Sequence, residues 1–316
     1  MKRDFLSLAD FTRPELDQIL HLSATLKADL KAGKPTPLLA GKSLAMIFEK
    51  PSLRTRVTFE VGMTQLGGSA INLSPRDIQF GQRETVADIA RNLERWVDLI
   101  MARTFAHDTL VELAGCAAVP VINGLSDRLH PCQVLADCFT LLERHGRLDD
   151  LRIAFIGDAN NMAHSWINAA AKFRFHLALA CPAGYDPDPG ILGAARAAGA
   201  QVEITRDAAA AAQGADVLYT DVWTSMGQED EADQRRRDFV GYQIDRALLR
   251  HARRDALVMH CLPAHRGEEI TAEVIDGPQS VVFDQAENRL HTQKGILVWL
   301  SERAGPRREG GGRHTP

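Results

Sequence analysis

Excess positive charge is missing from this chain: Lys and Arg total 37 against 41 Asp and Glu, for a formal charge of -4. A nucleic-acid binder draws its affinity from a basic surface that pairs with phosphates, so DNA and RNA are excluded as partners. Long apolar runs are missing too, since no window approaches the roughly 18 uncharged apolar residues of a membrane span. The opening Met1-Lys2-Arg3-Asp4-Phe5 meets an acid almost at once and has no apolar core of a secretory leader. These absences predict a protein that neither spans a membrane nor is secreted. Cysteine is scarce and odd in number. Cys116, Cys132, Cys138, Cys181 and Cys261 contain no C-x-x-C pair, which predicts reduced thiols and a cytoplasmic location.

What is present is length and apolar content. With 316 residues, 45% of them hydrophobic, the chain can build two domains and bury their cores without disulfides or metal. Thr12, Pro14 and Glu15 form a capping-box start for a first helix with an apolar stripe of Leu16, Ile19, Leu20 and Leu26. Apolar runs at Leu44–Phe48, Ala70–Leu73, Leu99–Ala102 and Val119–Ile122 read as strands, with helices near Ser52–Leu66, Thr85–Val97 and Thr109–Cys116 between them. A long helix, Pro131–Arg144, ends at the C-cap glycine Gly146. The pattern then restarts with strands at Ile153–Ile156, Leu177–Ala180, Val202–Ile204, Val217–Tyr219, Leu257–Met259 and Val281–Phe283, and a last helix near Leu290–Arg303. The expected class is α/β, with two similar domains, each a parallel sheet flanked by helices, joined by long interdomain helices. The first domain is expected over residues 1–147 together with the C-terminal helix 289–304, the second over 148–288, and a Gly/Arg-rich tail, 305–316, is expected to be disordered.

Two nucleotide signatures are also absent. The turn after Ile153–Ile156 reads Gly157-Asp158-Ala159-Asn160-Asn161-Met162, without the second and third glycines of G-x-G-x-x-G, and no G-x-x-x-x-G-K-[ST] occurs. A different anion site is drawn in the first half, where a strand leads through Glu49-Lys50-Pro51 into Ser52-Leu53-Arg54-Thr55-Arg56 at a helix start. Free backbone N–H groups, the positive end of the helix dipole, two hydroxyls and two guanidinium groups converge there, a geometry suited to phosphate. Alone, this segment fits a capped helix with two surface arginines equally well. Arg103 after its strand and His130-Pro131-Cys132-Gln133 at the next long helix stand at the carboxyl edge of the same predicted sheet, where ligands of open α/β sheets gather.

Together, FEKPSLRTR, MARTF, HPCQ, GDANNMAHS, DVWTSMG, HCLP and AENR resemble the carbamoyltransferase family, and within it the members that act on ornithine. The resemblance covers nearly the whole chain. It implies that Ser52, Leu53 (by its backbone), Arg54, Thr55 and Arg103 hold the phosphate of carbamoyl phosphate. Arg103, Thr55 and His130 would point at its carbonyl oxygen, Gln133 and the Leu262 carbonyl at its amide, and Arg289 would support it. Many relatives have Thr at the position of Leu53. Asp221 and Ser225 would take the α-ammonium of ornithine, with Asn161 and the Met226 backbone on its α-carboxylate, while Cys261 sits near the δ-amine. The expected catalytic set is Arg103, His130 and Cys261. Gln79, in Asp77-Ile78-Gln79-Phe80-Gly81, would reach a neighbouring subunit's site in a homotrimer. No cofactor and no metal are expected, because His260, Cys261 and His265 lack a fourth zinc ligand at usable spacing.

The implied reaction is attack of the neutral δ-amine on the carbamoyl carbon, giving citrulline and phosphate. A region around Cys261 free of carboxylates is expected to favour that neutral amine. The charged run after Gly227 (QEDEADQRRRD) reads as an exposed loop. Two alternatives remain: another acceptor, such as putrescine or a modified ornithine, and a non-catalytic amino-acid or phosphoanion sensor on the same fold.

Overall fold

Two parallel sheets organise the chain, whose computed structural model describes residues 2–74, 78, 84–225 and 227–304. The expected tail, Gln79 and Met226 lie outside the described residues. In the first half, helix α1 (Arg13–Lys31) precedes β1 (Ser43–Phe48), α2 (Leu53–Gln65), β2 (Ser69–Leu73), α3 (Val86–Trp96), β3 (Leu99–Arg103), α4 (His107–Cys116), β4 (Val121–Leu125) and α5 (Pro131–His145). The second half runs β5 (Arg152–Ile156), α6 (Asn161–Phe173), β6 (His176–Ala180), α7 (Pro189–Ala197), β7 (Gln201–Thr205), α8 (Ala208–Ala212) and β8 (Val217–Thr220). It continues through α9 (Ala232–Asp238), α10 (Arg246–Leu249), β9 (Leu257–His260), α11 (Ala272–Ile275) and α12 (Val282–Arg303).

The strand orders are β2-β1-β3-β4 and β7-β6-β5-β8-β9, with every neighbouring pair parallel. In each sheet the chain winds one way from its first strand and then returns to the other side. This creates switch points between β1 and β3 and between β5 and β8, where the loops at the carboxyl ends diverge and leave a crevice. Local chemistry fixes the helices that matter. Thr12 accepts from the Glu15 N–H while the Glu15 carboxylate accepts from the Thr12 N–H at 2.8 Å, so the capping box forms as read. Pro131 starts α5, and Gly146, at φ 71°, ends it in a left-handed conformation that glycine adopts at no steric cost.

One apolar core runs between the two halves, from Phe5 and Leu16 through Phe139 on α5 and Trp166 on α6 to Leu300. Helix α12 leaves the second sheet and packs along α1, α2 and α5. With α5 it forms the pair of long helices that joins the domains. Two expectations are corrected here. Val281–Phe283 is no strand: Val281 and Val282 are buried and Phe283 is 70% exposed, which is not the alternation of a strand, and only an isolated bridge, Val258 to Ser280, remains. A three-residue apolar run could not reveal its period. The last helix accordingly starts at Val282 rather than near Leu290, which places Gln285, Asn288 and Arg289 inside it.

Candidate active site

A cleft of about 1790 Å³ opens where the two switch points face each other. On its first wall the chain leaves β1, turns through Lys50 and Pro51, and enters α2 with Ser52 as N-cap. The Ser52 Oγ accepts from the Thr55 N–H at 3.2 Å, which orients the first turn of α2 toward the cleft. Arg54 donates through Nη2 to the Leu262 carbonyl, across the cleft. Arg103 ends β3 where the pairing with β4 shifts register between Ala102 and Arg103, the kind of irregularity that re-aims a side chain. Arg289, fully inside α12, donates through Nη2 to Thr55 Oγ1 at 3.0 Å and through Nη1 to Gln133 Oε1.

Among the described residues none of these three arginines has an ion-pair partner. Burial lowers all three. Arg103, also pushed by Arg289 and Arg54, falls to about 10, and its Nε is buried without a partner. All three still carry their charge at neutral pH, so the wall concentrates positive charge with nothing of opposite sign in contact. An anion with several acceptor oxygens satisfies it. His130 caps α5, with its N–H on Ser165 Oγ at 2.8 Å and its ring Nδ1 buried and unpartnered. Burial, then Arg289, Arg103 and Arg54, hold it well below the usual histidine range. It is therefore a neutral imidazole that can donate one hydrogen bond without adding charge.

The opposite wall is acidic and internally satisfied. Asp221 follows β8; its Oδ1 accepts from the Val222 N–H at 2.8 Å and from the Cys261 thiol at 2.9 Å, and its Oδ2 accepts from Asn160 Nδ2 at 2.9 Å. The expectation of a carboxylate-free surrounding for Cys261 is therefore wrong. β8 and β9 are adjacent, so the residues just past their ends meet, a juxtaposition that sequence spacing does not show. Burial, then Asp221, push the Cys261 thiol well up, so it stays protonated. Asn161, in the first turn of α6, donates to the Ser126 carbonyl at 2.7 Å, and the Ser225 N–H donates to Gln228 Oε1 at 3.2 Å.

Thirteen of the fifteen expected site residues line this cleft: Ser52, Leu53, Arg54, Thr55, Arg103, His130, Gln133, Asn161, Asp221, Ser225, Cys261, Leu262 and Arg289. The other two, Gln79 and Met226, lie outside the described residues. Leu53 is 75% exposed at the cleft's edge.

Sequence reasoning missed several supports. Lys50 is buried over the Phe105 ring, 4.4 Å from its centroid, and burial, then Arg103, lower it. The run expected as an exposed loop contains α9 and one residue, Arg235, that is only 5% exposed. Arg235 binds Asp158 at 2.8 Å, the Trp223 carbonyl at 2.9 Å and Glu231 at 3.0 Å, and so ties the loop after β8 to the glycine turn after β5. Spacing alone could not single it out, since Arg235 and Arg237 each follow an acid, Glu231 and Asp233, by four residues. His260 is wholly buried; its Nδ1 accepts from the Leu262 N–H at 2.8 Å and its Nε2 lies 3.1 Å from Glu269. Asp221, His260 and Cys261 bring ligand-type atoms within 4.8 Å of one another, but both ring nitrogens of His260 are already committed.

Fold and cleft together define a two-domain α/β protein whose interdomain cleft sets a cationic wall against a wall that carries a carboxylate. Comparison with known proteins narrows this. Residues 3–143 match the family model described as aspartate/ornithine carbamoyltransferase, carbamoyl-P binding domain, and residues 149–300 match aspartate/ornithine carbamoyltransferase, Asp/Orn binding domain. The chain belongs to the aspartate/ornithine carbamoyltransferase family. It is 56% identical over 301 residues to the ornithine carbamoyltransferase of Syntrophus aciditrophicus, covering 95% of this chain and 100% of that protein. The corresponding protein of Symbiobacterium thermophilum is 54% identical over 302 residues, covering 94% and 97%. The solved ornithine carbamoyltransferase from Pyrococcus furiosus matches with a TM-score of 0.91 at 50% identity, covering 94% of this chain and 96% of that one.

Proposed function

We propose that this protein transfers the carbamoyl group of carbamoyl phosphate to the δ-amine of L-ornithine, releasing citrulline and phosphate. The observation that carries the reading is the pairing of walls: buried Arg103 and Arg289 and half-buried Arg54, all without counter-ions among the described residues, face Asp221 and Cys261 across one cleft. The first domain, 1–147 with 289–304, holds carbamoyl phosphate and the second, 148–288, holds ornithine. The packing of α12 on α1, α2 and α5 supports this division.

The phosphate lies at the N-terminus of α2, where Ser52, the Leu53 N–H, Arg54, Thr55 and Arg103 surround it and Arg289 supports it from α12. The carbonyl oxygen meets Arg103, Thr55 and neutral His130, and one well-placed donor to a developing oxyanion is worth roughly 3 to 4 kcal/mol. Asp221 with Ser225 takes the α-ammonium, and Asn161 with the backbone at Met226 takes the carboxylate.

The δ-amine must lose a proton before it attacks. With a lysine-like pKa of about 10.4, holding it neutral near pH 7.4 costs roughly 4 kcal/mol. The cationic wall supplies the bias, because an ammonium beside three guanidinium groups is disfavoured. The protonated thiol of Cys261 adds a polar neighbour without a charge. A covalent thiolate route is disfavoured by the same upward shift. The departing phosphate is positioned to take the amine proton.

We also infer a homotrimer in which Gln79 reaches a neighbouring site. Leu53, Val57 and Val61 form an exposed apolar stripe along α2, and Ile71 is exposed on the edge strand β2, just before the segment that holds Gln79. None of the described helices is long and apolar enough to cross a membrane, and the five cysteines are free thiols, in keeping with a cytoplasmic location.

An acceptor panel with carbamoyl phosphate, reading product amide formation for ornithine, putrescine, N-acetylornithine and aspartate, tests the function. Ornithine should exceed the others by at least about 100-fold in kcat/KM, since a site built on paired polar groups rejects ligands that leave them unpaired. Equal rates with N-acetylornithine, whose α-nitrogen carries no charge, would remove Asp221 from its role, equal rates with putrescine would remove the carboxylate site at Asn161, and binding without turnover would favour the sensor. Sedimentation should give a trimer; a fully active monomer would remove the shared site.

A further inference from the structure

Behind the arginine wall lies a buried carboxylate that the mechanism above does not use. Asp137, on α5 one helical turn after Gln133, has no solvent exposure. Its Oδ1 accepts from Gln133 Nε2 and from Gln285 Nε2, each at 2.8 Å, and its Oδ2 accepts from the Tyr219 hydroxyl at 2.9 Å. Gln133 and Gln285 carry their carbonyl oxygens on the far side, toward Arg289 and the His260 N–H respectively. One carboxyl group, raised to about 7 by burial, thus sits where α5, α12 and β8 meet.

Both glutamines donate to Oδ1, so toward them the group acts as an acceptor whether it is ionised or carries its proton on Oδ2. Any amide that touches it must turn its NH2 inward and its oxygen outward. We propose that Asp137 is a positioning residue that fixes the polarity of the Gln133 amide, so that the acceptor Oε1 faces Arg289 and the cleft and selects a ligand bearing a carbamoyl NH2. An amide oxygen has two lone pairs, and one of those on Gln133 is taken by Arg289, which leaves the second for a substrate N–H. Without the carboxylate only Arg289 opposes reversal, and an amide that reverses presents NH2 to the cleft, a donor against a donor. The inference rests on the reading that Gln133 meets the carbamoyl amide.

The test is equilibrium binding to the full-length protein of three ligands: carbamoyl phosphate, acetyl phosphate, which has a methyl group in place of the NH2, and inorganic phosphate. Wild type should prefer carbamoyl over acetyl phosphate. Asp137→Asn keeps the shape and removes the obligation to accept; it should cut that preference about tenfold, the scale of one hydrogen bond, while inorganic phosphate binds no more weakly than to wild type. An unchanged preference in folded Asp137→Asn overturns the proposal. Gln133→Ala separates the two layers. If it leaves the preference intact, the reading of Gln133 itself fails; if it abolishes the preference and Asp137→Asn does not, only the role of Asp137 fails. Should Asp137→Asn not fold, neutron diffraction from the deuterated wild-type protein decides, because an ND2 group facing Asp137 supports the proposal and one facing Arg289 overturns it.

Discussion

The two walls of the cleft solve opposite problems. Among the described residues the first wall keeps half-buried Arg54 and buried Arg103 and Arg289 without counter-ions and leaves Arg103 Nε and His130 Nδ1 unpartnered. The second wall pairs its groups: Asp221 holds Val222, Asn160 and Cys261, and Asn161 holds Ser126. Like charges gathered in a dry site destabilise the empty protein, and an entering anion relieves that strain. A wall already satisfied gains little until its internal bonds are exchanged for ligand bonds. On the proposed function the first wall is therefore a preorganised anion site with unpartnered donors, and the second is a site that has to rearrange.

The contrast can be broken most sharply from its cationic side. Arg54→Ala and Arg103→Ala should each lower kcat/KM by about 1000-fold or more, with circular dichroism unchanged, because each removes a charged donor from both the phosphate and the transition state. Near-wild-type kinetics in both would end the anion assignment. Next in size, Asp221→Asn should raise the dissociation constant for ornithine about 100-fold and that for carbamoyl phosphate by less than about threefold. Equal effects on both ligands would show that the walls are not separate.

A smaller effect concerns stability. Arg103 has a folded pKa lowered to about 10 by burial, so folding with it charged is penalised throughout the neutral range, and the penalty fades only as pH rises through about 10. Arg103→Met should thus raise the melting temperature of the empty protein by about 2 °C or more while removing the stabilisation given by added phosphate. A lower melting temperature would mean that packing of the stem outweighs repulsion.

The smallest expected effect tests the second wall with pH. Burial raises Asp158 to about 6 against the pull of Arg235. Below that pH the proton is taken up, the Arg235 anchor weakens, and the loop carrying Ser225 loosens. An amino acid of ornithine's length without the δ-amine should show a flat inhibition constant above about pH 6 and a rise of about threefold near pH 5. With ornithine itself the rate should climb from pH 6 to above 8, as the δ-amine deprotonates. His130 adds no step there, being held well below 6.5 and already neutral.

How much of this was legible in the sequence depended on the range of the interaction. The capping box at Thr12, the glycine end of α5 and the alternation of strands with helices are local patterns, and they stand in the structure as read. Most cleft residues were legible as motifs because they stand at a strand's end, in the loop after it or at a helix start, whereas Arg289, inside α12, was legible only through the resemblance. The contact of Cys261 with Asp221 was not, because it depends on β9 lying next to β8. Asp137 was hidden for a different reason: an acid in an apolar helix offers no local sign of the two glutamines and the tyrosine that surround it. Arg235 was hidden by its neighbours, since a run of alternating charges looks solvated when only one member turns inward.

Helix α12 also sets a timetable. Domains fold as they emerge during synthesis, N-terminal parts first. A nascent chain that has completed both sheets still lacks Arg289, Gln285 and Asn288, and so lacks the cation on Thr55 and Gln133. The first domain can assemble its anion loop early, but its wall is finished only when the last helix returns to it across the whole length of the chain. Assembly of this site therefore ends with the C-terminal helix, and a ribosome that stalls beyond β9 leaves both the shared core and the cleft unfinished.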